Sequence, residues 1–297
     1  GILTIQEAKA PHGYWLEGES IEAGLDYEAP IHTVVISNPD DYETPVIADH
    51  VRRCGISLQK ADAQTGTTPQ GDASLEGIEF SIVNRNEQAV VVNGTSFEPG
   101  QTIGTIVTDK DGVATTSDDY LPIGTYEVRE TASNGSYVVD AQSRTITLTS
   151  KATNTIIRIG QSVQNHVVRG GISVGKISHE VADFLPQGDA TLTNAVFSIT
   201  LQSQNPVCVN GSLFRTGDVV TTLRTNDKGL AHTDEHALPF GTYLVQEVEA
   251  PTGYLLNTSW SKTVEVREDG VTCDLATLDE STPDQVKRGG FSLNKVD

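Results

Sequence analysis

Three twelve-residue blocks, DHVRRCGISLQK (49–60), NHVVRGGISVGK (165–176) and DQVKRGGFSLNK (284–295), align without a gap at spacings of 116 and then 119 residues. No other feature narrows the fold as much, because a period of this length is one small domain written repeatedly, and each copy must bury its own core. A second block keeps the same phase: LTIQEAKAPHGY (3–14), YEVRETASNGSY (126–137) and YLVQEVEAPTGY (243–254), each with Tyr seven residues after Glu. The 297 residues therefore divide into 1–54, the C-terminal part of a repeat, two complete repeats at 55–169 and 170–288, and 289–297, the first strand of a further one. On this reading the native chain continues at both ends, with an upstream lysine pairing with Asp49 and a downstream acceptor pairing with Lys295.

Inside a repeat the texture is short alternating runs, GIEFSIVN, TIGTIVTDKDGVA and SRTITLTS, separated by Asp-Gly, Asn-Gly and Pro-Thr-Gly turns. This is the pattern of an all-β sandwich or partly open barrel. The Asp- and Ser-rich loop at 117–119 is the one place where a short helical turn is expected. The joints VRRCG and VVRGG span only a few residues, so tandem modules are expected to string into an elongated, fairly stiff rod.

The formal net charge of −20 argues against nucleic acid and anionic membrane as partners, since both are polyanions. No apolar run approaches the roughly 20 residues that span a bilayer, so no membrane insertion is expected in this segment. There is no signal peptide at Gly1 and no Met anywhere, the mark of an excerpt or mature fragment. Cys54, Cys208 and Cys273 show no metal-ligand spacing. Cys208 and Cys273 fall in one repeat and are candidates for a disulfide or for two small buried hydrophobes.

Parity adds a surprise. Alternation puts Ile56, Leu58 and Lys60 on one face, and repeats the arrangement with Ile172, Val174 and Lys176, and with Phe291, Leu293 and Lys295. The same rule aims Glu130 inward with Tyr126 and Val128, and Glu247 with Tyr243 and Val245. On the closing strand it aims Asn165 inward between Val163 and Val167, and Asp49 between Ile47 and Val51. Each complete repeat thus offers an inward lysine, an inward glutamate and an inward Asn or Asp. Two fates are open to such a set. One is a buried ion pair with a hydrogen-bonded partner, because an unpaired buried charge costs several kcal/mol. The other is a reaction, in which burial holds the amine neutral and nucleophilic and the glutamate protonated, so that an isopeptide amide forms with loss of ammonia from Asn or water from Asp.

The lysine-opening strand, the GTYLVQEVEAPTGY block with its partner EAKAPHGY (7–14), and the closing NHVVRGG strand together resemble the collagen-adhesin B-type repeats, the prealbumin-like modules of Gram-positive surface adhesins and pilins. The resemblance covers essentially the whole chain and implies tandem immunoglobulin-like or prealbumin-like β-sandwich modules. It also implies that the inward Lys and Asn or Asp are joined by an intramolecular isopeptide bond promoted by the Glu. Carried over, Lys60, Glu130 and Asn165 serve the first complete repeat, and Lys176, Glu247 and Asp284 the second. Glu7 and Asp49 belong to the repeat before them, and Lys295 to the one after. ETASNGSY departs from the box by lacking Ala-Pro, and Asp replaces Asn at 49 and 284, which changes the leaving group.

Other signals are weaker. His232 and His236 lie four apart in HTDEH, in a segment that reads as a loop; TDKDG reads as a turn, so neither a metal nor a cofactor is expected. LPIGT (121–125) and LPFGT (238–242) have Gly and Thr in the reverse order to a sortase signal. The expected protein is the structural stalk or shaft of an extracellular bacterial adhesin or fibre, wall-anchored by a segment outside this chain. It is no enzyme, its partners are neighbouring repeats of the same protein, and any host or cell-surface ligand binds elsewhere. The alternative is a carbohydrate- or protein-binding sandwich of a secreted bacterial protein.

Overall fold

The computed structural model describes residues 1–19, 27–37, 46–150 and 153–296. Every regular element among them is a β-strand, and the loop at 117–119, where a helical turn was expected, holds only an ordinary turn at Asp118 and Asp119. The described residues fall into two compact units, the first drawn from 1–60, 78–132 and 140–163, the second from 61–77, 133–139 and 164–297.

The second unit is a sandwich of two sheets. One is antiparallel, with strands Val219–Arg224, Val196–Leu201, Gly241–Glu249 and Ser261–Val266 in that order. The other is built around the lysine strand Arg169–Ser178. That strand pairs antiparallel with Leu230–His232 and Leu238–Pro239, and parallel with Thr272–Leu275 and Thr282–Asp284. Alternation explains why these faces meet: Ile172 and Val174 from one sheet and Phe197, Ile199, Tyr243, Val245 and Val264 from the other form a continuous buried core.

The first unit repeats the plan. Thr102–Val107, Glu79–Asn84, Gly124–Ala132 and Ser143–Leu148 make the antiparallel sheet. The lysine strand Arg53–Asp62 pairs antiparallel with Val113–Thr115 and Leu121–Pro122, and parallel with Ile156–Arg158. At the start of the chain Ile2–Gln6 and Ile31–Val35 form a two-stranded ribbon whose Ile2, Leu3 and Ile31 are exposed.

Two motifs have plain structural work. In the hairpins Val90–Val92 with Thr95–Phe97, and Val207–Val209 with Ser212–Phe214, the connecting pairs Asn93-Gly94 and Asn210-Gly211 all take positive φ, the backbone that a two-residue turn between twisted strands demands. The sortase-like LPIGT and LPFGT stretches feed a tyrosine into the core. Tyr126 and Tyr243 are fully buried and donate to the carbonyls of Pro122 and Pro239, at 2.7 Å in both units. A buried phenol needs such an acceptor, which burial alone would leave unmet.

Candidate functional site

The second unit assembles three chemically reactive groups. Lys176 lies on the lysine strand, Glu247 near the end of Gly241–Glu249 and Asp284 on Thr282–Asp284, and all three side chains are fully buried. The parallel register sets Lys176 opposite Thr282 and Ser178 opposite Asp284, so the acceptor strand lies alongside the lysine. From the facing sheet, the register of Phe197 against Glu247 carries the acid into the same interior. Lys176 Nζ stands 3.4 Å from Glu247 Oε1, is in direct contact with Asp284 Oδ1, and donates to the Thr282 carbonyl at 3.2 Å.

Electrostatics follow from geometry. Burial pushes the Lys176 ammonium below its ordinary value, against the pull of Glu247 and Asp284. Burial likewise raises Glu247 to about 8, opposed by Lys176 and reinforced by Asp284, and raises Asp284 against the pull of Lys176. One cation facing two carboxylates in a dry interior leaves an excess negative charge, which a proton shared within the cluster relieves. Glu247 Oε1 and both Asp284 oxygens are buried without a well-aligned hydrogen-bond donor, consistent with that need for a proton. The group can therefore present a neutral amine, a protonated glutamic acid and a protonated aspartic acid within contact distance.

In the first unit, Lys60 is fully buried and its Nζ donates to the carbonyl of Val163 at 3.3 Å, two residues before Asn165, just as Lys176 addresses Thr282 two residues before Asp284. Glu130 and Asn165 are also buried. Near the start of the chain Glu7 and Asp49 face one another; burial, then Asp49, pushes the Glu7 carboxyl up. Lys295 is exposed on residues 287–296, which carry no strand. Cys54, Cys208 and Cys273 are free thiols. His232 and His236 flank a loop, where His236 Nε2 lies 3.6 Å from Asp269.

One contributor escaped the sequence reading. The main-chain N–H of Asn257 donates to Glu247 Oε2 at 3.4 Å, while its side chain donates to the Pro283 carbonyl at 2.9 Å, fastening the acid to the acceptor strand. Asn257 is three residues after the box tyrosine Tyr254, and the same offset gives Glu17 after Tyr14 and Asp140 after Tyr137. The Glu17 backbone likewise hydrogen-bonds to Glu7. A polar residue always three places past that tyrosine was the available signal.

The family model described as SpaA, prealbumin-like fold domain, matches residues 55–161 and 185–281. Among solved structures the chain is similar to the Bacillus anthracis TIE protein, at 23% identity and a TM-score of 0.52, over 87% of this chain and 39% of that one. The chain thus spans well under half the length of that protein. Looser likenesses include a streptococcal ancillary pilin (20% identity, TM-score 0.32, 94% of this chain and 76% of that one). Another is the shaft pilin SpaA from Lactobacillus rhamnosus GG (14% identity, TM-score 0.29, 82% and 100%). No curated protein matches the chain.

Proposed function

The chain belongs to the SpaA prealbumin-like fold family, and from that premise we propose that it is a structural stalk or shaft segment of an extracellular Gram-positive adhesin or fibre. Each complete repeat, 55–169 and 170–288, is locked by an autocatalytic isopeptide bond. The observation that carries this reading is the fully buried Lys176 set between Glu247 and Asp284.

In the second repeat the neutral Lys176 amine attacks the Asp284 carboxyl carbon while protonated Glu247 donates to the carboxyl oxygen. Glu247 then takes the proton released from Nζ and passes it to the leaving hydroxyl. One C–N bond forms, one C–O bond breaks and one water leaves. In the first repeat Lys60, Glu130 and Asn165 run the same steps with ammonia leaving. For Lys176 and Asp284, contact in a buried core supplies the effective concentration that an unactivated carboxyl requires. There is also a thermodynamic reason for the reaction to proceed: it exchanges buried ionisable groups, each costly to desolvate, for one neutral amide. The protein consumes its own side chains and turns over no substrate.

The neighbouring repeats are the structural partners, and a wall anchor and any ligand-binding head belong to segments outside this chain. In the second repeat the bond joins the opening strand to the parallel closing strand, so tension drawn along the chain crosses the repeat through a covalent link. Intact mass under denaturing conditions tests the proposal. The expected value lies below the sequence mass by one water and one ammonia, with Lys176–Asp284 and Lys60–Asn165 linked in the peptide map. A mass equal to the sequence leaves only buried ion pairs and overturns the covalent reading.

A further inference from the structure

A groove of about 920 Å³ opens in the first unit, walled by the Asn86–Val91 segment, Ile123 and Gly124, and Thr147–Thr149, with His12–Tyr14 at its rim. The second unit has the same walls. Arg53 donates to the carbonyls of Tyr120 (3.0 Å) and Val91 (2.8 Å); Arg169, at the same place in its repeat, donates to those of Ala237 (2.8 Å) and Cys208 (3.1 Å). The Asn86 side chain accepts from the Thr125 amide at 2.8 Å, as Ser203 accepts from the Thr242 amide at 2.8 Å.

In the second unit these walls are covered by Gln70-Gly71-Asp72. Buried Gln70 accepts from the Cys208 amide at 2.8 Å. The Gly71 amide donates to Pro206 and its carbonyl accepts from Asn205, at 3.2 and 3.0 Å. The Asp72 amide donates to the Phe240 carbonyl, and its carboxylate accepts from Thr242 and Arg267, at 2.7 and 3.0 Å. Gly71 is obligatory in that place: its φ is +56°, and a Cβ there would lie 2.2 Å from the Phe240 carbonyl oxygen.

We propose that the first-unit groove is a docking site for the loop after the lysine strand of another repeat of this kind, a segment with the Pro-Gln-Gly-Asp chemistry of residues 69–72. The matching donors and acceptors are the Val91 amide for Cys208, the Ala89 carbonyl for Pro206, the Gln88 side chain for Asn205 and the Ile123 carbonyl for Phe240. The fit differs in one respect. Thr149 stands where Arg267 stands in the second unit, so the loop's aspartate meets only the Thr125 hydroxyl and is dispensable, whereas its glycine is not. This inference holds whether or not the lysines are covalently bonded, because it rests on the groove alone.

The test is disulfide trapping on the full chain. A synthetic peptide of residues 61–77 carrying Asp72→Cys is offered to the Thr125→Cys variant, which places a thiol where the Thr242 hydroxyl meets Asp72. Thr105→Cys, an exposed site on the same sheet, is the control. The expected result is at least tenfold faster cross-linking at position 125 than at 105, falling at least tenfold when the peptide also carries Gly71→Ala. Equal rates at 125 and 105, or indifference to Gly71→Ala, overturns the proposal.

Discussion

Lys176 and Lys295 end the same six-residue block, GISVGK in one case and GFSLNK in the other, yet their surroundings are opposite. Around the first, Ile172, Val174 and the lysine are wholly buried. Around the second, Phe291 and Leu293 are 98% and 87% exposed, and the segment has no strand. The block is therefore not a site in itself. What encloses Lys176 is a closing strand alongside, at Thr282–Asp284, and a facing sheet that brings Glu247, and these supply both the dry medium and the partners on which the proposed reaction depends. Glu7 and Asp49 also face one another, and burial, then Asp49, raises the Glu7 carboxyl.

The widest separation is expected in amine labelling. Acylation of the denatured chain should modify Lys295 completely and Lys176 not at all, since an amide nitrogen no longer reacts; full labelling of both would erase the distinction. Next in size, Lys176→Met should destabilise the second unit by about 4 to 5 kcal/mol, the value expected for opening a covalently closed loop of roughly a hundred residues. Lys295→Met should change urea stability by less than about 0.5 kcal/mol. The Lys176→Met variant should also acquire a pH dependence. Glu247, already raised to about 8 against the pull of Lys176, remains raised without it. A carboxyl raised on folding favours the native state below its unfolded value of 4.5 and loses that advantage as pH climbs through its folded value. Stability should thus fall between about pH 4.5 and 8, and a rise across that window contradicts the assignment.

Smaller again is Tyr243→Phe, which deletes the hydrogen bond to Pro239 beside the glutamate strand. It should cost about 1 to 1.5 kcal/mol in thermal or urea unfolding while leaving the bond intact in the mass spectrum. Smallest is Asp284→Asn, which gives the second repeat the acceptor of the first. Stability should move by less than about 0.5 kcal/mol, while the mass deficit of that repeat changes from one water to one ammonia. Loss of the bond in this variant would show that the acid, not its position, decides reactivity.

Much of this could be read from residue order alone. Strict alternation put Lys60, Glu130, Asn165, Lys176 and Glu247 among apolar neighbours, and the structure buries all five. The Asn-Gly pairs announced their hairpins because few other dipeptides tolerate two positive φ values in succession. Alternation cannot report which strands pair, so the parallel partnership of the opening and closing strands, and the Thr282 carbonyl that receives the lysine, came only from the fold. Nor could it reveal residues 61–77 as part of the second unit. That stretch is polar and turn-rich, and the groups that tie Gln70 and Asp72 to the rest of the second unit, the Cys208 amide and the Thr242 hydroxyl, lie more than a hundred positions further along the chain.

The pairing of Arg169–Ser178 with Thr282–Asp284 also sets an order of events. The second repeat opens with one of these strands and closes with the other, so no nascent chain can complete the cluster before residue 284 has emerged. Every earlier length keeps Lys176 and Glu247 without their acceptor, and the lysine strand without one of its parallel neighbours. For a chain threaded across a membrane from one end, closure by the proposed bond would then act as a timestamp: it would mark a repeat that has been delivered whole, and a truncated product would never carry the mark.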